Sequence, residues 1–436
     1  PASTQEVAEI VKVCSREGIF IVPRGAGTGL SGGATPVDGG VVISFARMAK
    51  ILEVDLENQR VVVEPGVVNA WVTDAVAAEG YFYAPNPSSQ AACTIGGNVS
   101  HNSGGAICLK YGVTTNHVLG LEMVLPDGQV VQVGAKALDT PGYDLTGVLV
   151  GSEGTLGIIT KVILRIVRRP ESVKTFMAVF DSVDDASNAV SDIVARGIVP
   201  AAIEFMDHLA IVAVESHPIH AAGYPLDAEA ILLVEVDGVR EEVEVLSRRI
   251  IEVFEKNRAR EVRTAKSEEE RKRLWQGRKG AFGAMGALSP NYLTQDGVVP
   301  RSKLRPILKI VNEVSKKYGL RIANVFHAGD GNLHPLIVFD ARIPGQTEKA
   351  IVAAVEILVG CVEFGGSLTG EHGIGIEKRE LMPLIFTDQD LEVMKRLRKV
   401  FNPKGICNPS KVFPTGASCA EIPLPTMPPE MQMARW

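Results

Sequence analysis

The stretch Pro23–Ala34, PRGAGTGLSGGA, constrains the fold of this chain more than any other. Gly27, Gly29 and Gly32 satisfy G-x-G-x-x-G, a spacing that in a βαβ dinucleotide site opens a helix against the pyrophosphate. Here Gly33, Pro36, Gly39 and Gly40 follow, and then the apolar run Val41–Ser44. No helix is expected there, which disfavours the nicotinamide type of fold. The P-loop fails too, because no lysine followed by Ser or Thr closes the loop. What remains is a curl of backbone N–H groups able to hold a phosphate without a helix. Taken alone, a tight glycine turn without ligand explains it as well. Two more glycine-rich stretches shift the balance: Ala91–Gly105, AACTIGGNVSHNSGG, and Gly142–Thr160, GYDLTGVLVGSEGTLGIIT. Together the three suit one large ligand threaded through a single domain.

Composition narrows the class. With 436 residues and a formal charge of −6, the chain offers no general attraction to nucleic acid. Its 46% of hydrophobic residues is enough for large cores, yet no apolar run approaches the roughly 18–20 residues that span a bilayer. The richest run, Ile351–Phe364, is broken by Glu356 and Glu363 and reads as a buried amphipathic helix. The six cysteines are scattered without a C-x-x-C pair, which removes cysteine zinc and iron–sulfur sites and suits a reducing compartment. The first residues, from Pro1, carry no signal-peptide pattern, so a cytoplasmic location is expected.

Ser3 with Glu6 signals a capping box for a helix with the apolar face Val7, Ile10, Val11 and Cys14, ended by Gly18. Short strands are expected at Ile19–Val22, Val41–Ser44, Ile51–Val54 and Arg60–Glu64, then a helix over Asn69–Glu79. Leu119–Leu125 and Val130–Val133 flank Pro126-Asp127-Gly128 as a hairpin. Beyond Arg168-Arg169-Pro170 the elements lengthen. Helices are expected over Ser182–Arg196, Glu241–Asn257, Ser267–Met285, Arg301–Tyr318, Thr347–Gly360 and Asp388–Phe401, with strands such as Ile231–Val236 between them. The Pro- and Met-rich tail Glu421–Trp436 reads as an irregular extension. The fold class is α+β.

Three of the eight histidines fall in two glycine-framed motifs. HAGDGNLH places His327 and His334 at the ends of a turn. Residues seven apart on a straight strand face opposite ways, whereas the Asp330-Gly331 turn folds the chain back and joins the imidazoles. GEHGIG adds Glu371 and His372. Two imidazoles and a carboxylate with an open position make the usual catalytic Zn²⁺ set, and equally the facial triad of Fe²⁺. A hydrogen-bonded pair of structural histidines is the simpler alternative. His217 and His220 read as a surface loop. Arg278, in WQGRKGAFGA, follows the charged run Lys266–Arg273, a solvated helix face. Its planar guanidinium suits bidentate capture of a carboxylate, against the alternative of an exposed helix arginine.

In order and spacing, the three glycine stretches resemble the FAD-binding domain of the vanillyl-alcohol oxidase/p-cresol methylhydroxylase type over residues 1–170. Within that superfamily, NPSSQAACTIGGNVSHNSGG followed by CLKYGVTTNHVLGLEMVLPDG is similar to the FAD-linked D-2-hydroxyacid dehydrogenases. These include the flavoprotein of glycolate oxidase, D-lactate dehydrogenase and D-2-hydroxyglutarate dehydrogenase. The resemblance implies that Arg24, Gly25, Ala26, Gly27, Thr28, Gly29 and Leu30 wrap the pyrophosphate. It also implies that Thr94, Gly97, Asn98 and Ser100 line the flavin, with Glu153, Gly157 and Ile159 toward the ribose and adenine. Thr28 stands where some relatives carry a flavin-linking histidine, so non-covalent FAD is expected, with His101 as the one competing attachment point. FNPKGICNPSKVF resembles the family's return to the flavin domain and puts Asn408 near the isoalloxazine. The implied domains are an FAD-binding domain, 1–170 joined by about 402–436, and a substrate- and metal-binding cap, 171–401. The histidine motifs carry ligation of a divalent metal, zinc by preference, onto His327, His334 and Glu371. The base falls on His372 and the substrate carboxylate on Arg278.

Two departures lean the substrate toward glycolate or D-lactate. Thr294 stands where the D-2-hydroxyglutarate enzymes have a lysine, and Leu336 where they have an asparagine. The implied reaction is oxidation of a D-2-hydroxy acid to the 2-oxo acid, with electrons leaving to a quinone, a cytochrome or a partner subunit. A homodimer or a subunit of an oxidase complex is expected, peripheral to a membrane through its acceptor. A D-2-hydroxyglutarate dehydrogenase and a non-catalytic electron-relay subunit are the alternatives, the latter having no use for the histidine motifs. An oxidase of aromatic alcohols is disfavoured by an aromatic content of 6%.

Overall fold

The computed structural model describes residues 1–137 and 141–416, so the expected extension Glu421–Trp436 lies outside the described residues. The chain forms two compact units. One consists of Pro1–Gly105, Tyr111–Arg169 and the described residues from Glu371 on; the other contains Ala106–Lys110 and Pro170–Gly370. The return to the first unit therefore comes at Glu371 and not near residue 402, and the helix Asp388–Phe401 belongs to the first unit, not to the cap. The reason is packing at its C-terminal end. Phe401 lies against the first unit's core, and the Asn402 side chain donates to the Thr155 carbonyl at 3.0 Å.

In the first unit, the Ser3 hydroxyl accepts the Glu6 N–H at 3.2 Å and Gly18, at φ 66°, ends the helix Thr4–Glu17. The Glu6 carboxylate takes the Ala2 N–H instead of that of Ser3, so only half of the capping box forms. The strand Ile21–Arg24 pairs in parallel with Val41–Ser44, and the first glycine stretch is the connection between them. The returning chain lies along the same strand, with Ile21 N–H on the Ile406 carbonyl at 2.8 Å and Asn408 N–H on that of Ile21 at 2.7 Å. A five-stranded antiparallel sheet completes the unit, in the order Ile51–Asp55, Arg60–Val63, Ile158–Arg165, Val118–Val124, Val130–Gly134. The second glycine stretch is not all loop, because Ile95–His101 is helical and is closed by Asn102 at φ 51°. Gly96 and Gly97 hide that helix from any propensity reading.

The second unit is built on a seven-stranded antiparallel sheet. Its order is Glu261–Thr264, Ser172–Phe180, Ala230–Gly238, Ala202–Asp207, Arg321–His327, Pro335–Phe339, Asn291–Thr294. Helices cover both faces. Phe205 and Phe326, stacked at 4.7 Å, share one core with the helices Val183–Ala195, Arg240–Lys256 and Leu304–Tyr318. Met206, Leu233 and Val325 share the other with His208–Glu215 and Glu268–Ala284. Each large apolar side chain so buried contributes about 1.5–3 kcal/mol. A charged side chain in the middle of such a strand reaches no water and must find its partner inside the protein. Among the described residues no helix is long and apolar enough to cross a membrane.

Candidate functional site

The glycine stretches of the first unit build a cradle defined by how closely main chains approach. A β-carbon on Gly25 would stand 2.1 Å from the Thr94 Oγ1, and one on Gly96 would stand 2.6 Å from the Pro65 side chain. The residues Ala26–Leu30 are exposed, and Gly27 adopts φ 74°. Thr94, only 9% exposed, has no hydrogen-bond partner for Oγ1, and Asn408 has none for Oδ1. Asn408 is fixed by its amide, which donates to the carbonyls of Gly33 at 2.9 Å and Glu153 at 2.6 Å. These two open acceptors beside an exposed glycine loop fit a large polar cofactor.

Other residues expected to face that cofactor also make contacts within the protein. The Ser100 hydroxyl donates to the Gly96 carbonyl at 2.8 Å, and the Asn98 side chain lies 3.5 Å from Cys93 Sγ. Gly157 is pressed against Met123, and the Ile159 side chain packs in the apolar core. Glu153, at φ 52°, receives the N–H groups of Ile374 at 2.7 Å and Gly375 at 2.8 Å. Its carboxylate is thus a clamp on the GEHGIG segment. Ser31, inside the first glycine stretch, adds a second clamp: its hydroxyl donates to the His372 carbonyl at 2.9 Å and its carbonyl accepts the Ile376 N–H at 2.9 Å. The loop that carries the glycines and the backbone that carries His372 therefore form one hydrogen-bonded piece. The sequence offers no local signal for this.

In the second unit His327 ends the strand Arg321–His327, and His334 directly precedes Pro335–Phe339. The turn between them brings the rings to 5.2 Å, nearly perpendicular. Gly331 is obligatory there: it adopts φ 81°, and a β-carbon would lie 2.1 Å from the Val299 carbonyl. Both histidines are buried, 5% and 1% exposed. His334 Nδ1 is 3.3 Å from the Gln295 carbonyl, and Phe282 meets the ring edge-on at 5.8 Å. Buried Asp296 holds the turn by accepting from the Asn332 amide at 2.8 Å, and it also accepts the Gly370 N–H at 3.1 Å.

Arg278 is 2% exposed on the helix Glu268–Ala284, which excludes the exposed-arginine alternative. Its Nη2 lies 2.6 Å from Glu204 Oε2 as an ion pair, and neither Nη2 nor Nε has a hydrogen-bond partner. The other oxygen of Glu204 is 2.7 Å from His327 Nδ1. The run Lys266–Arg273 is not wholly solvated either: Arg271 reaches Glu235 at 3.0 Å, where Trp275 Nε1 also donates at 2.7 Å. Burial holds the ammonium of the neighbouring Lys279 below its ordinary pKa. Glu204 and Asp296 carry no role in the sequence reading. The available signal for Glu204 was an acid flanked by apolar residues inside the strand AIEFMD, whose other acid, Asp207, stands at its end.

Comparison with known proteins agrees with this construction. The family of FAD linked oxidases, C-terminal domain, matches residues 169–412, and the FAD binding domain family matches residues 1–134. The chain belongs to the FAD-linked oxidases. It is 47% identical over 422 residues to "Glycolate oxidase subunit GlcD" of Escherichia coli, covering 97% of this chain and 84% of that protein. With "D-lactate dehydrogenase" of Anaerostipes hadrus the identity is 34% over 418 residues, covering 94% and 88%. Among solved structures, p-cresol methylhydroxylase superposes with a TM-score of 0.79 at 18% identity, over 96% of this chain and 88% of that one. That likeness establishes the fold of this FAD-linked oxidase, which is the p-cresol methylhydroxylase type. The protein is an oxidoreductase and its first unit binds FAD.

Proposed function

We propose that this FAD-linked oxidase converts a small D-2-hydroxy acid, glycolate or D-lactate, to the 2-oxo acid. The observation that carries the reading is Arg278, a buried guanidinium with an open Nε in the same unit as the buried His327–His334 pair. Relatives named for glycolate and D-lactate support the substrate class. Phe282 against His334, and Leu336 buried in the apolar core, favour a small substrate over one with a second carboxylate.

Arg278 holds the substrate carboxylate through its open edge. His327, His334 and Glu371 are the proposed ligands of a divalent cation, zinc by preference. Gly370, one peptide bond before Glu371, hangs on Asp296, the carboxylate that also holds Asn332 between the two histidines. His372 takes the hydroxyl proton as general base, its backbone held by Ser31 and the following Ile374 and Gly375 N–H groups clamped by Glu153. Bound FAD would supply the acceptor for the hydride from C2, and a bound cation would supply the charge that lowers the pKa of the substrate hydroxyl. Thr28, Thr94 and Asn408 are the proposed polar contacts of non-covalent FAD. Electrons leave to a quinone, a cytochrome or a partner subunit.

The test is anaerobic bleaching of the flavin band by D- and L-2-hydroxy acids. Glycolate and D-lactate should bleach it; bleaching by L-enantiomers alone, or by none, sinks the reading.

A further inference from the structure

We propose that Glu204 is a positioning residue for the second unit's part of the site. It decides which nitrogen His327 offers to a cation, and its ion pair with Arg278 sets the direction of the guanidinium. The inference rests on the metal and substrate reading above and adds a residue to it.

Backbone pairing fixes Glu204 before any side chain is considered. It stands directly opposite His327 in the antiparallel ladder, with Phe205 opposite Phe326 in the next register. Those two rings stack at 4.7 Å on the far face, and the Gly329 N–H, just past His327, is bonded to the Ile203 carbonyl at 3.1 Å. Neither strand can slide without breaking this set. The Glu204 side chain is wholly enclosed, at 0% exposure, with one oxygen on His327 Nδ1 at 2.7 Å and the other on Arg278 Nη2 at 2.6 Å.

The chemistry follows from what a carboxylate can do. Ionised, it only accepts, so the imidazole proton sits on Nδ1 and the lone pair is left on Nε2. That is the form in which histidine ligates a metal, and a carboxylate behind the ring orients it. The second oxygen forms an ion pair with Nη2 at 2.6 Å that lacks hydrogen-bond geometry, so both Nη2 and Nε keep their hydrogen-bonding capacity for a ligand. The Arg278 helix is anchored independently, through Trp275 and Arg271 on Glu235 and through Tyr224 on the Leu274 carbonyl. Glu204 therefore sets the direction of the guanidinium rather than the place of the helix. In Glu204→Gln the amide oxygen goes to Arg278 and the amide NH₂ faces Nδ1. The imidazole proton then moves to Nε2, where it blocks a metal.

The experiment titrates Co²⁺ into chelator-stripped, flavin-loaded wild type, E204Q and the double variant E204Q/R278Q, read by the visible Co²⁺ spectrum. Flavin absorbance and circular dichroism report the fold. E204Q should bind Co²⁺ about 10–100-fold more weakly with its flavin retained. The double variant, in which no charge is buried alone, should regain thermal stability lost in E204Q but not the Co²⁺ affinity. Should E204Q fail to fold, the double variant decides by itself. Wild-type affinity in either variant overturns the proposal, because Glu204 is then only the counter-ion of Arg278. Absence of Co²⁺ binding in wild type as well overturns the metal reading on which it stands.

Discussion

The two units recruit function by opposite means. In the first, the cradle is made of main chain and of residues defined by what they lack: Gly25 can approach Thr94 only because it has no β-carbon. In the second, the site is made of charge enclosed between two dry cores, where Glu204 joins Arg278 and His327 with no access to water. A glycine cradle tolerates a change in any distant residue that leaves its backbone path intact. A buried charge cluster does not, because removing one partner leaves another uncompensated, at a cost of about 3–5 kcal/mol. The first unit should therefore fail locally and the second collectively.

The largest expected effect separates the units outright. His327→Ala or His334→Ala should remove most bound metal and abolish turnover while the flavin stays in place, measured by metal analysis and absorbance on the same sample. Loss of flavin together with metal breaks the separation. Next, His372→Ala should slow single-turnover flavin reduction by about 10²–10⁴-fold with metal retained, the range of a typical general base. A normal reduction rate without metal would instead make His372 a ligand. Steady-state rates are not sufficient here, since reoxidation can hide the loss.

A smaller effect tests whether buried charge dominates the second unit. Burial raises the Asp207 carboxyl to about 6, against the N–H groups of Ala210 and Asn324 that lower it. A folded pKa above the unfolded value means that the folded state holds the extra proton. Stability from this group is then complete below the unfolded pKa and is lost as pH rises through about 6. The loss is about 3 kcal/mol at most, and Asp207→Asn should flatten it in urea unfolding followed from about pH 4 to 7. A slope unchanged in the variant refutes the assignment. The smallest effect belongs to the cradle. Gly25→Ala forces a contact of 2.1 Å with Thr94 Oγ1 and should weaken FAD retention by about 1–3 kcal/mol. Metal content should not change; if it falls too, the two sites are not independent.

Where residue type itself is the signal, the chain could be read directly. The absence of a helix after the first glycine stretch, the turn that joins His327 and His334, and the helices Val183–Ala195 and Asp388–Phe401 follow from local pattern. The helix Ile95–His101 did not, because two glycines in its first turn mask a helix that tertiary packing imposes. The hold of Glu153 on the chain at Ile374 and Gly375 was not legible, since a carboxylate's acceptance of N–H groups 221 and 222 residues away leaves no mark nearby.

The sequence by itself determined the turns and glycine cradles and the α+β class. Each of these depends on short-range sterics: positive φ, missing β-carbons and the period of apolar residues. Only the tertiary structure decided the partners of the buried charges. Glu204 and His327 are 123 residues apart and meet because strand register sets them opposite each other. The same enclosure makes their pairing obligatory, because a charge cut off from water is stable only beside the partner that the fold brings to it.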